Sequence, residues 1–343
     1  MAIKLKGYER DSSFIAARHQ PAILLDLGMS RGIDSHLLLR GTQLFLDDIL
    51  SGHKQISPAQ FLAIMANVHK RLDADDTSFL YGQRLLPGHL GDVSQALHHA
   101  GNLRQALQHL CACHALLSPL LTPRLVESRT HAFVYWQDSC GAGSMRTFLV
   151  EAGVTAVAAM TRWLSGERLP WRFSFMHARP SYIEQYWVHL GEDLAFGQQL
   201  DMMVLPRAWL DRPWQNTSAI GLQTALAGSR AQMDALEWQE SFLDTLYNHL
   251  RRHIRQPLHL DGVAEAFDMS PASLKRKLQK HDTHFQEQLD LARKHVALYL
   301  YQVEGCSNQE VAHYLRFNDI NNFRRSFKRW TGCAPGHLQP ACF

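Results

Sequence analysis

The strongest constraint on this chain is an internal repeat near its C-terminus. Val263-Ala264-Glu265-Ala266-Phe267-Asp268-Met269-Ser270 aligns with Val311-Ala312-His313-Tyr314-Leu315-Arg316-Phe317-Asn318 at an offset of 48. After this stretch the offset becomes 49. Leu274 then pairs with Phe323, Leu278 with Phe327, Lys275 with Arg324, Arg276 with Arg325 and Lys280 with Arg329. Leu260, Val263, Ala264 and Phe267 fall at i, i+3, i+4 and i+7, one face of a helix. Each copy therefore reads helix, tight turn, helix. Ser270-Pro271 supplies a cap and a first-turn proline, Ser307 with Glu310 a capping box, and Asp319 a cap for the last helix. Burying Leu274 and Leu278, or Phe323 and Phe327, turns the basic residues of each second helix outward. That is helix-turn-helix logic, in which the second helix enters a DNA major groove. The stretch 284–303 has no Gly or Pro and reads as one connector of ~20 residues, ~30 Å long, against ~34 Å for one turn of DNA.

Charge follows the repeat. Residues 241–343 hold 14 Lys and Arg against 10 Asp and Glu, a net of +4, while the rest of the chain is at −1. The excess points to a polyanion partner for the C-terminal part. A length of 343 residues with 46% hydrophobic content suits two or three domains with real cores and excludes a wholly disordered chain. No apolar run reaches the ~18 residues of a spanning helix, and the N-terminus lacks the apolar segment of a secretory signal. Six irregularly spaced cysteines form no disulfide framework. The expectation is a reduced, cytoplasmic protein with no membrane partner.

Upstream of residue 215 the pattern is α+β. Helices are expected over 57–68 and 102–117, a strand pair over 124–128 and 131–136, and a helix over 145–165. A strand at 172–177, a helix at 181–190 and a further strand within 194–210 follow.

Residues 240–340 resemble the DNA-binding domain of the AraC/XylS family of bacterial transcription regulators. The resemblance rests on Leu260-Asp261-Gly262-Val263-Ala264, on Met269 through Leu278, on Glu310-Val311-Ala312 and on Asn322 through Pro335. Residues 81–136 and 173–213 resemble the arabinose-binding-type N-terminal domain of one branch of that family. Tyr81-Gly82-Gln83-Arg84-Leu85, His89-Leu90-Gly91 and Asn102-Leu103-Arg104-Gln105-Ala106-Leu107 carry that similarity. It implies an α+β effector-binding and dimerisation domain over 1–215, a helical linker over 216–239, and an all-α domain over 240–343. The last has two helix-turn-helix units joined by a long helix. Two departures stand out. Asp268 and Arg316 occupy turn positions where the family usually has Gly, and Leu338-Gln339 replaces a terminal aromatic-Arg pair.

The exposed face of each second helix, matched to the family's base-contacting positions, gives Ala272, Ser273, Lys275 and Arg276 in the first unit. In the second it gives Ile320, Asn321, Arg324 and Arg325. Lys280, Lys328 and Arg329 lie further along and suit phosphates. Arg84, Tyr135 and Trp136 are candidates for the effector site. The implied partners are double-stranded DNA, a small-molecule effector, RNA polymerase and a second copy of the chain. No cofactor, metal or catalytic residue is expected, and activation is the favoured mode.

Two alternatives belong to other classes. His109 and Cys113 stand at i, i+4 with Cys111 between them, a pattern open to metal or redox sensing as well as to plain helix packing. Asp138-Ser139-Cys140-Gly141-Ala142-Gly143-Ser144 has the look of a phosphate loop and would suit an N-terminal enzyme fused to a DNA-targeting domain. It lacks Gly-Lys-Ser/Thr, and a strand-to-helix loop is the simpler reading.

Overall fold

The computed structural model describes residues 7–215 and 217–338. Its upstream part is built on a five-stranded sheet in the order Leu121–Glu127, His131–Asp138, Met202–Pro206, Arg172–Ser174, Leu194–Ala195. Only the last pairing is parallel. His131–Asp138 is apolar at successive positions because both of its faces are covered. Ala132, Val134 and Trp136 join the helical core of the upstream part, while Phe133 and Tyr135 form a separate cluster with Met202 and Val204 on the opposite face.

Two glycines set the packing beneath this sheet. Thr77–Leu85 crosses Arg146–Ser165 so closely that a Cβ on Gly82 would lie 2.5 Å from the Ala152 carbonyl oxygen. Gly153 makes room for the Trp136 indole, whose Nε1 would stand 3.0 Å from a Cβ there. The Gly in Tyr81-Gly82-Gln83-Arg84 thus has a packing cause.

Three expectations need adjustment. The helix over 102–117 breaks at Cys113 into Leu103–Ala112 and His114–Leu117, and the break lets Ala115 and Leu117 reach the same core as Leu107 and Leu110. The strand at 172–177 stops at Ser174, because the Met176 N–H donates to the Asp201 carboxylate (2.8 Å). The linker segment is helical over Ala219–Asp234, but it is no free tether. It lies along Asp92–His98, where Gln232 accepts from the Val93 N–H (3.1 Å) and donates to the Leu90 carbonyl (3.2 Å).

Among the described residues six α-helices follow: Phe242–Arg252, Leu260–Ala266, Pro271–Lys280, Phe285–Gln302, Asn308–Tyr314 and Ile320–Thr331. They close over their own core, which includes Phe242, Leu246, Leu274, Leu278, Phe323 and Phe327.

The two parts are docked by polar contacts as well as apolar ones. The Tyr8 N–H donates to Glu240 O (3.0 Å), the Phe242 N–H donates to Tyr8 O (2.9 Å), and the Tyr8 hydroxyl donates to Pro119 O (3.0 Å). Asp244 is 1% exposed and accepts from Thr122 Oγ1 (2.6 Å), Ser241 Oγ (2.7 Å) and Arg124 Nη2 (3.0 Å). The loop that looked like a phosphate cradle spends its amides internally, since the Asp138 carboxylate accepts from the N–H groups of Cys140, Gly141 and Ala142. Gly141 has φ +76 and abuts the His281 carbonyl, where a Cβ would overlap the oxygen.

Lys294 lies in this interface. It is 6% exposed, beside the Arg146–Asp201 ion pair (2.8 Å). Burial, reinforced by Arg146 and opposed by Asp201, pushes its ammonium down to about 8. The unfolded chain would keep that proton up to roughly pH 10.4. Between those values the unfolded state binds more protons, so stability contributed at this site rises with pH. Lys294→Met is expected to gain about 1–3 kcal/mol at pH 7 and to lose that gain above pH 10. Urea unfolding of both proteins across this range is the check. A difference between them that stays constant with pH would rule this out.

Candidate nucleic-acid interface

Each helix-turn-helix unit is terminated and restarted by local chemistry. In the first, Leu260–Ala266 ends as the Met269 N–H donates back to Ala264 O (3.0 Å), with Asp268 at φ 55. In the second, the Phe317 N–H donates to Ala312 O (2.9 Å), with Arg316 at φ 62. The six-to-one bond and the left-handed residue are the marks of a Schellman turn, which favours Gly. Both departures from Gly therefore sit at positive φ, as the turn requires. Ser270 Oγ accepts from the Ser273 N–H (3.1 Å), and the Asp319 carboxylate accepts from Asn321 and Asn322 (3.2 and 3.0 Å). Ser307 and Glu310 form the reciprocal box, at 3.3 and 2.7 Å.

Arg316→Gly is expected to leave stability unchanged or raise it by under ~1 kcal/mol, because the relief of left-handed strain offsets the added freedom of the unfolded chain. Chemical denaturation measures this. A loss larger than that would mean the exposed guanidinium makes a needed contact.

Leu274, Leu278, Phe323 and Phe327 are fully buried. The opposite faces are open. Ala272, Lys275, Arg276, Asn321, Arg324, Arg325 and Lys328 are exposed, while Ser273 and Ile320 are half-buried. Ser273 Oγ lies 2.9 Å from Ser270 Oγ. Among the described residues, Lys275, Arg276, Arg324, Arg325 and Lys328 have no carboxylate partner. Two of the three phosphate candidates do. Arg329 pairs with Asp290 (3.0 Å), and Lys280 is held by Glu9 (3.0 Å) and Asp11 (2.7 Å). Glu9 also pairs with Lys277, and Arg10 with Asp282. Burial works against both charges, but the contacts win: Glu9 is held below the usual carboxylate range and Lys280 above the usual ammonium value. This acidic strap escaped the sequence reading. Its residues lie about 270 positions from their partners, and no local pattern links them. Gln339 of the substituted terminal pair lies outside the described residues.

The three effector candidates are not brought together. Arg84 is exposed on Thr77–Leu85. Trp136 faces the upstream core, and Tyr135, one residue away on the strand, faces the other side. On that side lies a cavity of about 420 Å³ between the sheet and the downstream helices. Tyr135 is part of its lining.

His109 and Cys113 do meet, with Sγ 3.8 Å from Nδ1. The other ring nitrogen, however, is 2.9 Å from Val93 O, and burial pushes the thiols of Cys111 and Cys113 up to about 11. Both thiols are therefore protonated at neutral pH. Among the described residues no group of three His, Cys, Asp or Glu is placed to hold a metal ion.

Two family models match this chain, one in each part. Residues 32–214 match the model of the arabinose-binding domain of AraC transcription regulators, N-terminal, and residues 263–340 match a helix-turn-helix domain model. The ornithine utilization regulator of Pseudomonas aeruginosa is 25% identical over 319 residues, covering 93% of this chain and 94% of that protein. An uncharacterized HTH-type transcriptional regulator of Mycobacterium bovis is 24% identical over 326 residues, 91% and 93% of the two chains. The crystal structure of transcriptional regulator CdpR from Pseudomonas aeruginosa aligns with 79% of this chain and 89% of that one, at 20% identity and a TM-score of 0.40. An α+β effector domain that matches over more than half of the chain, followed by a helix-turn-helix domain with open basic helix faces, identifies this chain as a member of the AraC family of DNA-binding transcription regulators and not as an enzyme.

Proposed function

We propose that both helix-turn-helix units read the same DNA site. Ala272, Ser273, Lys275 and Arg276 contact bases from the first recognition helix, Pro271–Lys280, and Ile320, Asn321, Arg324 and Arg325 from the second, Ile320–Thr331. Lys280, Lys328 and Arg329 take phosphates and hold the register. The observation that carries this reading is the pair of exposed, unpaired dibasic steps, Lys275-Arg276 and Arg324-Arg325, each backed by two buried side chains.

Of the effector candidates, Tyr135 alone lines the interdomain cavity, and we retain it. The protein acts in the cytoplasm as a homodimer paired through residues 1–215, and activates by recruiting RNA polymerase. What supports this is the family's usual behaviour. The domain division is supported by two hydrophobic cores: the first takes in Met233 of the 216–239 segment, and the second begins at Phe242. No helix among the described residues is long and apolar enough to cross a membrane.

The test is selection of duplexes from a randomised pool with the full chain. The bound pool should converge on one motif with two contacted blocks, one for each recognition helix. A pool that binds but stays random would leave only phosphate contacts and refute the base-reading assignment.

A further inference from the structure

The cavity of about 420 Å³ draws its walls from both parts of the molecule. The sheet contributes Phe133, Tyr135 and Met202. The helix Phe242–Arg252 contributes Tyr247, Arg251 and Arg252, and the connector Phe285–Gln302 contributes His295 and Tyr299, with Val303 just beyond its end. The volume is in the range that takes one small organic molecule.

Its chemistry is lopsided. The floor is apolar, and no Asp or Glu among the described residues lines it. Arg251 and Arg252 are exposed and have no carboxylate partner among the described residues. Within the wall, His295 is 8% exposed and its Nδ1 lies 2.8 Å from the Tyr247 hydroxyl. Burial, with Lys294, Arg146, Arg124 and Arg251 around it, holds that imidazole neutral. Arg124 and Arg146 are neutralised by Asp244 and Asp201, so the charge left open at the cavity is that of Arg251 and Arg252. An apolar body would be desolvated against Phe133, Met202 and Val303, and an anionic head would find guanidinium donors in planar, fork-like geometry.

We propose that this interdomain cavity binds a small carboxylic acid with an apolar body, its carboxylate on Arg251 and Arg252, and that this ligand is the effector. The last clause rests on the reading that a small molecule controls DNA binding. Because Phe133 and Met202 belong to one domain and the guanidiniums to the other, the ligand binds tightly only when the two are docked as seen here. It therefore shifts the balance between docked and undocked forms, and with it the affinity for DNA. By reciprocity, DNA changes the affinity for the acid by the same factor.

The experiment uses the full chain and four probes, hexanoate, benzoate, phenylacetate and indole-3-acetate, with phenylacetamide and phenethylamine as uncharged and cationic counterparts. At least one acid should raise the melting temperature in a dose-dependent way at millimolar concentration, and its amide or amine counterpart should not. Arg251→Gln with Arg252→Gln, two changes on an exposed surface, should weaken that acid by about tenfold or more. Met202→Trp, which fills the floor, should abolish binding. Val303→Phe is a milder filling variant in case the tryptophan protein does not fold. No response to any of the four acids, equal binding of phenylacetamide, or affinity surviving both the arginine changes and a filled floor would each overturn the site. DNA affinity is read separately, on a duplex recovered by selection. An acid that binds here and leaves DNA affinity unchanged refutes the effector role while the site stands. An acid that alters DNA affinity in the filled variants refutes the site while the effector reading of the protein stands.

Discussion

Arg276→Ala and Arg325→Ala should each lower affinity for a selected site by about 1–3 kcal/mol, roughly 5- to 150-fold, and change binding to random duplex far less. An arginine donating two hydrogen bonds to one guanine discriminates by that amount, whereas one that only neutralises phosphate weakens all sequences alike. Both side chains are free to reach a groove, being exposed and unpaired next to the buried Leu274–Leu278 and Phe323–Phe327 stripes. Lys280→Ala should weaken selected and random DNA equally. Its effect on the salt slope should fall below the ~0.9 unit of a free phosphate contact, because Glu9 and Asp11 already act as its counterions. Competition binding at several salt concentrations separates these outcomes. Equal losses on both duplexes for Arg276→Ala and Arg325→Ala would show that the reading face has been misassigned.

Asp244→Ala should have the largest effect on stability, about 3 kcal/mol. The carboxylate is buried at the junction of the two parts, where it is the acceptor for Thr122, Ser241 and Arg124. Removing it strands two hydroxyl donors and leaves Arg124 without its ion-pair partner. Asp244→Asn keeps an acceptor oxygen and should lose less. Because these donors lie in both domains, the loss falls on docking first. Scanning calorimetry should resolve the melt into two transitions, with the upstream part and the helical part unfolding separately. A single transition at the original temperature would mean that Asp244 does not hold the domains together.

The repeat was legible because each of its signals is local. Caps, turns and a helical stripe all act within about ten residues, so Ser270, Asp319 and the buried pairs at 274/278 and 323/327 emerge from spacing alone. The turns at Asp268 and Arg316 are marked by the family's usual Gly there, and both residues sit at positive φ. The effector site is not legible in the sequence, because strand alternation sends the neighbours Tyr135 and Trp136 to opposite faces. The cavity itself is made by packing one domain against another. Its arginines sit in the basic last turn of Phe242–Arg252, a pattern that by itself marks only a helix C-terminus. The strap on Lys277 and Lys280 was invisible for the same reason, since a contact spanning most of the chain leaves no periodicity to read.

The place of Tyr8 has a consequence for synthesis. Its ring is fully buried against Phe14, but its backbone is held on both sides by residues 240 and 242. Tyr8 thus cannot complete its native hydrogen bonds until residues 240–242 have been made. At ~5–20 residues per second, that leaves the leading segment waiting roughly ten to fifty seconds on the ribosome. A chain released before residue 240 would therefore keep Tyr8 unpaired, and the helical part, once made, closes the fold of the upstream part.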